Sequence, residues 1–224
     1  VTSAPNGVRR YSTAGQHGII QYSGAEYKKG IVIVNNKLLR NPLCLRASVV
    51  KILLVLHLFS LPALLSAQSN EGKNFWFSFM QHRDFGQCNM VVMITSKYNT
   101  SGVVRMPHYN WQTSFTVAAN NVTIIKLPQS AENNGSEFIS NKGIQVETVL
   151  PSSVYIHQYY SMRSEASLVL PVESIGQEYY VLSYTGYVDN SGIYPSEFLL
   201  VGIEDDTEIS VRVSDQTLGG KAAG

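Results

Sequence analysis

Over residues 208–213 the chain reads Glu-Ile-Ser-Val-Arg-Val, so Ile209, Val211 and Val213 fall on one side while Glu208, Ser210 and Arg212 fall on the other. A helix, repeating every ~3.6 residues, would scatter this set around its axis, whereas a strand gathers it into one apolar face. The same grammar recurs from residue 74 onward, in short bursts of β-branched and aromatic residues separated by Asn, Gly, Pro and Ser. It predicts strands over 74–80, 89–96, 102–107, 112–118, 121–127, 143–149, 153–160, 167–171, 178–184, 196–203 and 208–213. Ala118-Ala119-Asn120-Asn121 reads as a hairpin turn because asparagine tolerates left-handed backbone, and Glu204-Asp205-Asp206-Thr207 reads as a second turn. Residues 128–142 read as a surface loop. Short strands with turns at this spacing predict an all-β fold, an antiparallel β-sandwich in preference to a barrel or an α/β architecture. Residues 214–224 offer no closing strand, which reads as truncation inside a longer protein.

Residues 51–67, KILLVLHLFSLPALLSA, obey a different rule: a lysine, an apolar run and a small-residue exit, the pattern of a secretory signal peptide. The run contains His57 and Pro62 and is shorter than the roughly 20 residues a spanning helix requires. The expected organisation is therefore a disordered, upstream-translated leader over 1–48, a signal peptide over 49–67 and a secreted β domain over 68–224. No methionine precedes Met80, which points to a start near Leu45, Val49 or Val50 at a codon other than ATG.

Charge divides at the same place. Eight of the 17 Lys and Arg precede residue 68 but only one of the 16 Asp and Glu does, so the leader carries +7 and the remainder −6. An acidic secreted module disfavours a nucleic-acid partner, which would ask for a basic face. Cys44 lies before the cut and Cys88 after it, leaving one thiol and no internal disulfide in the remainder; such a domain must be held by its core. Cys88 reads as a small buried hydrophobe.

Chemical motifs are sparse. The acids Glu204, Asp205 and Asp206 are the candidate metal ligands, since closely spaced carboxylates in loops are what Ca²⁺ collects, but they lack the EF-hand spacing. His82, His108 and His157 are scattered, with no H-E-x-x-H helix and no Cys/His cluster for zinc. No nucleophile elbow and no phosphate-binding glycine loop occurs, so no catalytic residue and no cofactor is assigned. What stands out is aromatic. Phe75, Phe77 and Phe79 alternate into a core and turn Trp76 the other way, and tyrosines crowd the second half of the chain. Tyrosine offers a large rigid apolar area with a polar tip, which binding surfaces exploit. Trp76, Tyr159, Tyr160, Tyr187 and Tyr194 are therefore the candidate ligand-binding residues.

An ordered set of short motifs carries a resemblance: Gly72-Lys73-Asn74-Phe75-Trp76-Phe77-Ser78-Phe79, Met93-Ile94-Thr95-Ser96, Gly143-Ile144 with Ser153-Val154-Tyr155, Leu168-Val169-Leu170-Pro171-Val172, Gly176-Gln177-Glu178-Tyr179-Tyr180, Pro195-Ser196-Glu197-Phe198 and Glu204-Asp205-Asp206-Thr207. Together, over 72–213, they resemble the N-terminal domain of IgGFc-binding proteins. Animal members are mucus proteins named for binding antibody Fc. Bacterial ones sit in large surface or secreted proteins, often of Bacteroidetes, with repeats and a sorting domain downstream. The resemblance implies a non-catalytic, secreted or cell-surface module for adhesion or binding, whose partner is an extracellular glycan or protein, and it supplies no catalytic residues. Two other readings stay open: an accessory or catalytic β-domain of a carbohydrate-active enzyme, and a structural spacer.

Overall fold

The computed structural model describes residues 69–182, 186–190 and 192–224, together with the backbone of four short strands nearer the start. Those four are β1 (Thr2–Ser3), β2 (Arg9–Ser12), β3 (Ile19–Ser23) and β4 (Gly30–Val34), and they fall within the stretch expected to be a leader. The expected signal peptide, 49–67, lies outside the described residues.

The fold is all-β, antiparallel and sandwich-like, and no α-helix occurs among the described residues. Its organising element is β11 (Ile144–Tyr160), against which four strands pair. Along one edge of β11 run β6 (Asn89–Thr95) beside its C-terminal half and β7 (Thr100–Met106) beside its N-terminal half. Outside them, in matching register, run β9 (Val122–Lys126) on β6 and β8 (Trp111–Val117) on β7. Each pair of consecutive strands is thus one long arm bent at its middle, and the bent arms fold a single sheet over into two layers. The other edge of β11 carries a fourth arm made of two distant segments: β5 (Gly72–Phe77) on the N-terminal half and β12 (Arg163–Val169) on the C-terminal half. These meet at the bend, where Phe75 bridges Pro171.

Alternation explains what fills the space between the layers. Phe75, Phe77, Phe79, Met90, Val92, Ile94, Val104, Met106, Ile144, Val146 and Val154 point inward and form one buried cluster, which also takes in Cys88. Burying an aliphatic or aromatic side chain of this kind contributes roughly 1.5–3 kcal/mol, so this cluster dominates the stability of the sandwich. The three phenylalanines behave as their alternation predicts.

The remaining strands build a second unit. β13 (Glu178–Val181) pairs with β4, β16 (Glu197–Val201) with β3, and β17 (Glu208–Arg212) lies between β2 and β4. β14 (Tyr187–Asp189) and β15 (Gly192–Tyr194) form a hairpin, and β10 (Phe138–Ser140) pairs with β3. Ile209 and Val211 are buried against Val181, Phe198, Leu200 and Val213, so the alternation that opens the sequence argument does place one face inward.

Three local expectations change. The separate strands over 143–149 and 153–160 are one strand, because a register shift between Glu147 and Ser152 absorbs Pro151 without breaking the ladder. The turn at 118–121 forms, with Asn120 at φ 60° and its neighbour Asn121 donating to the Ala118 carbonyl at 3.0 Å. It bends an arm and does not close a hairpin, since β8 and β9 pair with β7 and β6. Finally, β12 begins at Arg163, earlier than the predicted 167, because its polar residues lie on an exposed edge where alternation is not demanded.

Candidate functional site

On the far side of the β12 half of the fourth arm no strand pairs among the described residues, and a furrow runs there. Its apolar part, a groove of about 670 Å³, is walled by residues 76–80, by residues 165–170 and by Ile175, Tyr179, Leu199 and Val201. It passes into a more polar hollow of about 410 Å³ lined by Gln81, Arg83, Glu165, Ile193, Tyr194, Pro195 and Glu197, with Met80 and Glu165 common to both. The furrow lies where the sandwich faces the C-terminal unit, so its walls come from segments more than a hundred residues apart.

At the polar end the β14–β15 register sets Tyr187 opposite Tyr194, and the two rings stack with centroids 6.2 Å apart at 20°. The Arg83 guanidinium carbon sits 4.2 Å from the centroid of the Tyr194 ring. Arg83 is thereby held as a cation against an aromatic face, an arrangement worth roughly 0.5–1 kcal/mol where exposed. Tyr187 is 63 % exposed and remains the accessible platform of the stack.

The loop that delivers Arg83 is pinned from below by a buried carboxylate. Glu132 is 1 % exposed; its Oε1 accepts the His82 backbone N–H at 2.8 Å and the Gln158 amide at 3.4 Å. Its Oε2 accepts the Gly86 backbone N–H at 2.9 Å and the Gln129 amide at 3.1 Å. A buried charge is tolerable only when satisfied in this way. His82 is also buried, and its Nδ1 accepts the Asp84 N–H at 3.1 Å. Arg163 Nη1 on β12 reaches Asp84 at 2.9 Å and ties the other end of the loop to the furrow's edge. Lys142, whose Nζ donates to the Glu132 carbonyl, is held below its ordinary ammonium range by burial, partly offset by the Glu132 charge.

Cys88 lies on this network, its sulfur 3.2 Å from the Gln158 amide nitrogen. Burial raises the thiol above its usual 9.0; the Gln158 hydrogen bond works against the rise and the Glu132 carboxylate adds to it. An environment that disfavours the thiolate is the opposite of what a nucleophile requires.

The five aromatic candidates go to different places. Trp76 lines the apolar groove, and Tyr187 with Tyr194 forms the stack at its polar end. Tyr159 lies outside the furrow on the solvent face of β11, stacked on His157 with centroids 4.7 Å apart. Tyr160 packs against the core cluster. The acids Glu204, Asp205 and Asp206 are exposed on their turn, and no group of three or more His, Cys, Asp or Glu able to hold a metal occurs among the described residues. His157 Nε2 and Ser164 Oγ stand 2.6 Å apart on the same outer face, yet no carboxylate pairs with His157 among the described residues. A triad's third member is missing there. Arg83, Gln81 and Glu165 carry no local signal in sequence, and Glu197 enters only within the Pro195-Ser196-Glu197-Phe198 motif; only the furrow brings the four together.

No helix among the described residues is long and apolar enough to cross a membrane. No curated protein and no solved structure matches the chain. The sequence model of a family described as IgGFc binding protein matches residues 165–224. The resemblance read over 72–213 is thus matched in its C-terminal part, and the matched segment supplies Glu165, Leu168, Leu170, Tyr179, Tyr194, Glu197, Leu199 and Val201, most of one wall of the furrow.

Proposed function

We propose that this chain is a non-catalytic binding module of an extracellular protein, taking a protein or glycan ligand in the furrow between the sandwich and the C-terminal unit. The observation that carries the reading is the stack of Arg83, Tyr194 and Tyr187 at the end of an apolar groove, the two tyrosines lying on the segment that matches a family named for binding. Large rigid aromatics beside a cation are the usual energetic centres of protein recognition, and an apolar groove with a polar end both anchors and orients a ligand. Trp76, Tyr187 and Tyr194 are the contact residues on this reading, and Tyr159 and Tyr160 are not. Export and a place in a bacterial surface or secreted adhesion protein belong to the same proposal; cleavage before Gln68 stays outside it, because it would take away β3 and β4, with which the β16 and β13 of the furrow wall pair.

The test is capture. Purified chain is screened against immunoglobulin Fc, mucin and a glycan array, with Tyr187→Ala and Trp76→Ala beside it. Retention of one ligand class that falls about tenfold in both variants supports the reading, by the weight hot-spot aromatics carry. Failure to retain anything, or equal retention by both variants, sinks it.

A second reading rests on Glu165 and Glu197 sharing with Tyr194 the lining of the hollow. Two carboxylates across an aromatic cleft are what a glycoside hydrolase uses. Hydrolysis of a chromogenic glycoside, abolished by Glu165→Gln and by Glu197→Gln, would establish it; no turnover removes it.

A further inference from the structure

The backbone of β12 faces the furrow with an edge that no strand among the described residues pairs with, its Leu168 carbonyl accepting only from the neighbouring Ser167 hydroxyl at 3.2 Å. Tyr160 and Arg163 pair across a turn of two residues, Ser161 and Met162, and such a hairpin closes on a pair sharing both backbone hydrogen bonds. Counting along the register, Arg163, Glu165, Ser167 and Val169 aim their N–H and C=O groups at β11, and Ser164, Ala166 and Leu168 aim theirs outward. Among the described residues no strand pairs with that outer edge. The usual protections of an edge strand, a lysine, a proline or a bulge within the strand, are absent from it. Residues 164–168 are exposed on both faces.

We infer that β12 is a template for strand addition, and that its occupant is an extended polypeptide segment with alternating apolar side chains and a basic residue at one end. This rests on the binding reading above and names the partner's class. Main-chain bonds to Ser164, Ala166 and Leu168 supply affinity, and alternate side chains of the incoming strand meet Trp76, Tyr179, Leu199 and Val201 along the groove. Charge selects the end: Glu165 stands exposed in the hollow, Arg83 there is engaged with Tyr194, and residues 68–224 carry an excess of acids. A lysine or arginine placed there is attracted, and an acid is repelled.

The probe is the acetylated, amidated peptide Lys-Thr-Val-Thr-Val-Thr-Lys, whose valines and lysines share one face, labelled for fluorescence anisotropy. The comparison peptide replaces both lysines by glutamate. Variants of the full chain are Ala166→Pro, which removes an outward N–H without touching the β11 ladder, and Glu165→Lys. The lysine peptide binds the unaltered chain, Ala166→Pro weakens it about tenfold or more, and Glu165→Lys shifts preference toward the glutamate peptide. No binding by the unaltered chain, or equal binding by a folded Ala166→Pro, overturns the inference. Should Ala166→Pro not fold, an unchanged charge preference in Glu165→Lys overturns it alone. Capture of a whole protein or glycan without binding of the lysine peptide ends strand addition and leaves the binding module standing.

Discussion

The Glu132 carboxylate accepts the backbone N–H of His82 at 2.8 Å, across 50 residues of sequence, and so fixes the loop from which Arg83 reaches Tyr194. A buried acid thereby positions the charged end of the furrow. The fold holds the site through hydrogen bonds made beneath it.

Replacing that acid should therefore damage both stability and the site. Glu132→Ala leaves the His82 and Gly86 N–H groups without their acceptor, at a cost of about 3 kcal/mol or more. Thermal melts should show a large drop, with Glu132→Gln falling between the variant and the parent chain. An unchanged midpoint in Glu132→Ala would show that the network is dispensable.

Gly102 sits where β7 crosses against β11 and β8. A Cβ there would lie 2.1 Å from the Glu147 carbonyl oxygen and 2.6 Å from Phe115 Cζ, so Gly102→Ala must push the arms apart. Overpacking of this kind costs roughly 1–3 kcal/mol, and the obstacle is partly backbone, which yields poorly. A denaturant midpoint within error of the parent would contradict the packing described.

Cys88 gives a pH dependence of known sign. Its folded pKa lies above the usual 9.0, so the folded state holds the proton that the unfolded state releases. Its contribution is present below that value and is lost as pH rises through the folded pKa. Stability should fall more steeply above about pH 9 in the parent than in Cys88→Ala, and alkylation at about pH 8 should be far slower than for a free thiol. Rapid alkylation of the folded chain would refute the buried placement.

Beginning the chain at Gln68 separates two units that respond differently. Among the described residues the main buried cluster draws on 75–169, so the sandwich should still unfold cooperatively. β16 and β17, which pair with β3 and with β2 and β4, should lose amide protection in hydrogen exchange. Loss of the whole cooperative transition would mean that the sandwich depends on the strands before residue 35.

Much of the fold was legible because period-two alternation is local. Phe75, Phe77 and Phe79, or Ile209 and Val211, declare a buried face within a few residues, and a turn such as Asn120 declares itself by the backbone it permits. Pairing was not legible. Nothing in 89–126 says that its strands form arms bent at one level, or that β5 and β12 share an edge of β11, because those choices are made by contacts between distant segments.

The site divides along the same line. Aromatic content alone nominated Trp76, Tyr187 and Tyr194 alongside Tyr159 and Tyr160, since composition cannot distinguish a ring in a furrow from one on an open face or in the core. The sequence determined that the chain would form strands and which side chains would face inward, because these follow from backbone geometry and solvent exclusion acting over a few residues. Only the tertiary structure decided that Arg83 lies over Tyr194, that Glu132 is buried beneath it and that no strand among the described residues pairs with the outer edge of β12, since each depends on segments that meet only when the sheet folds over.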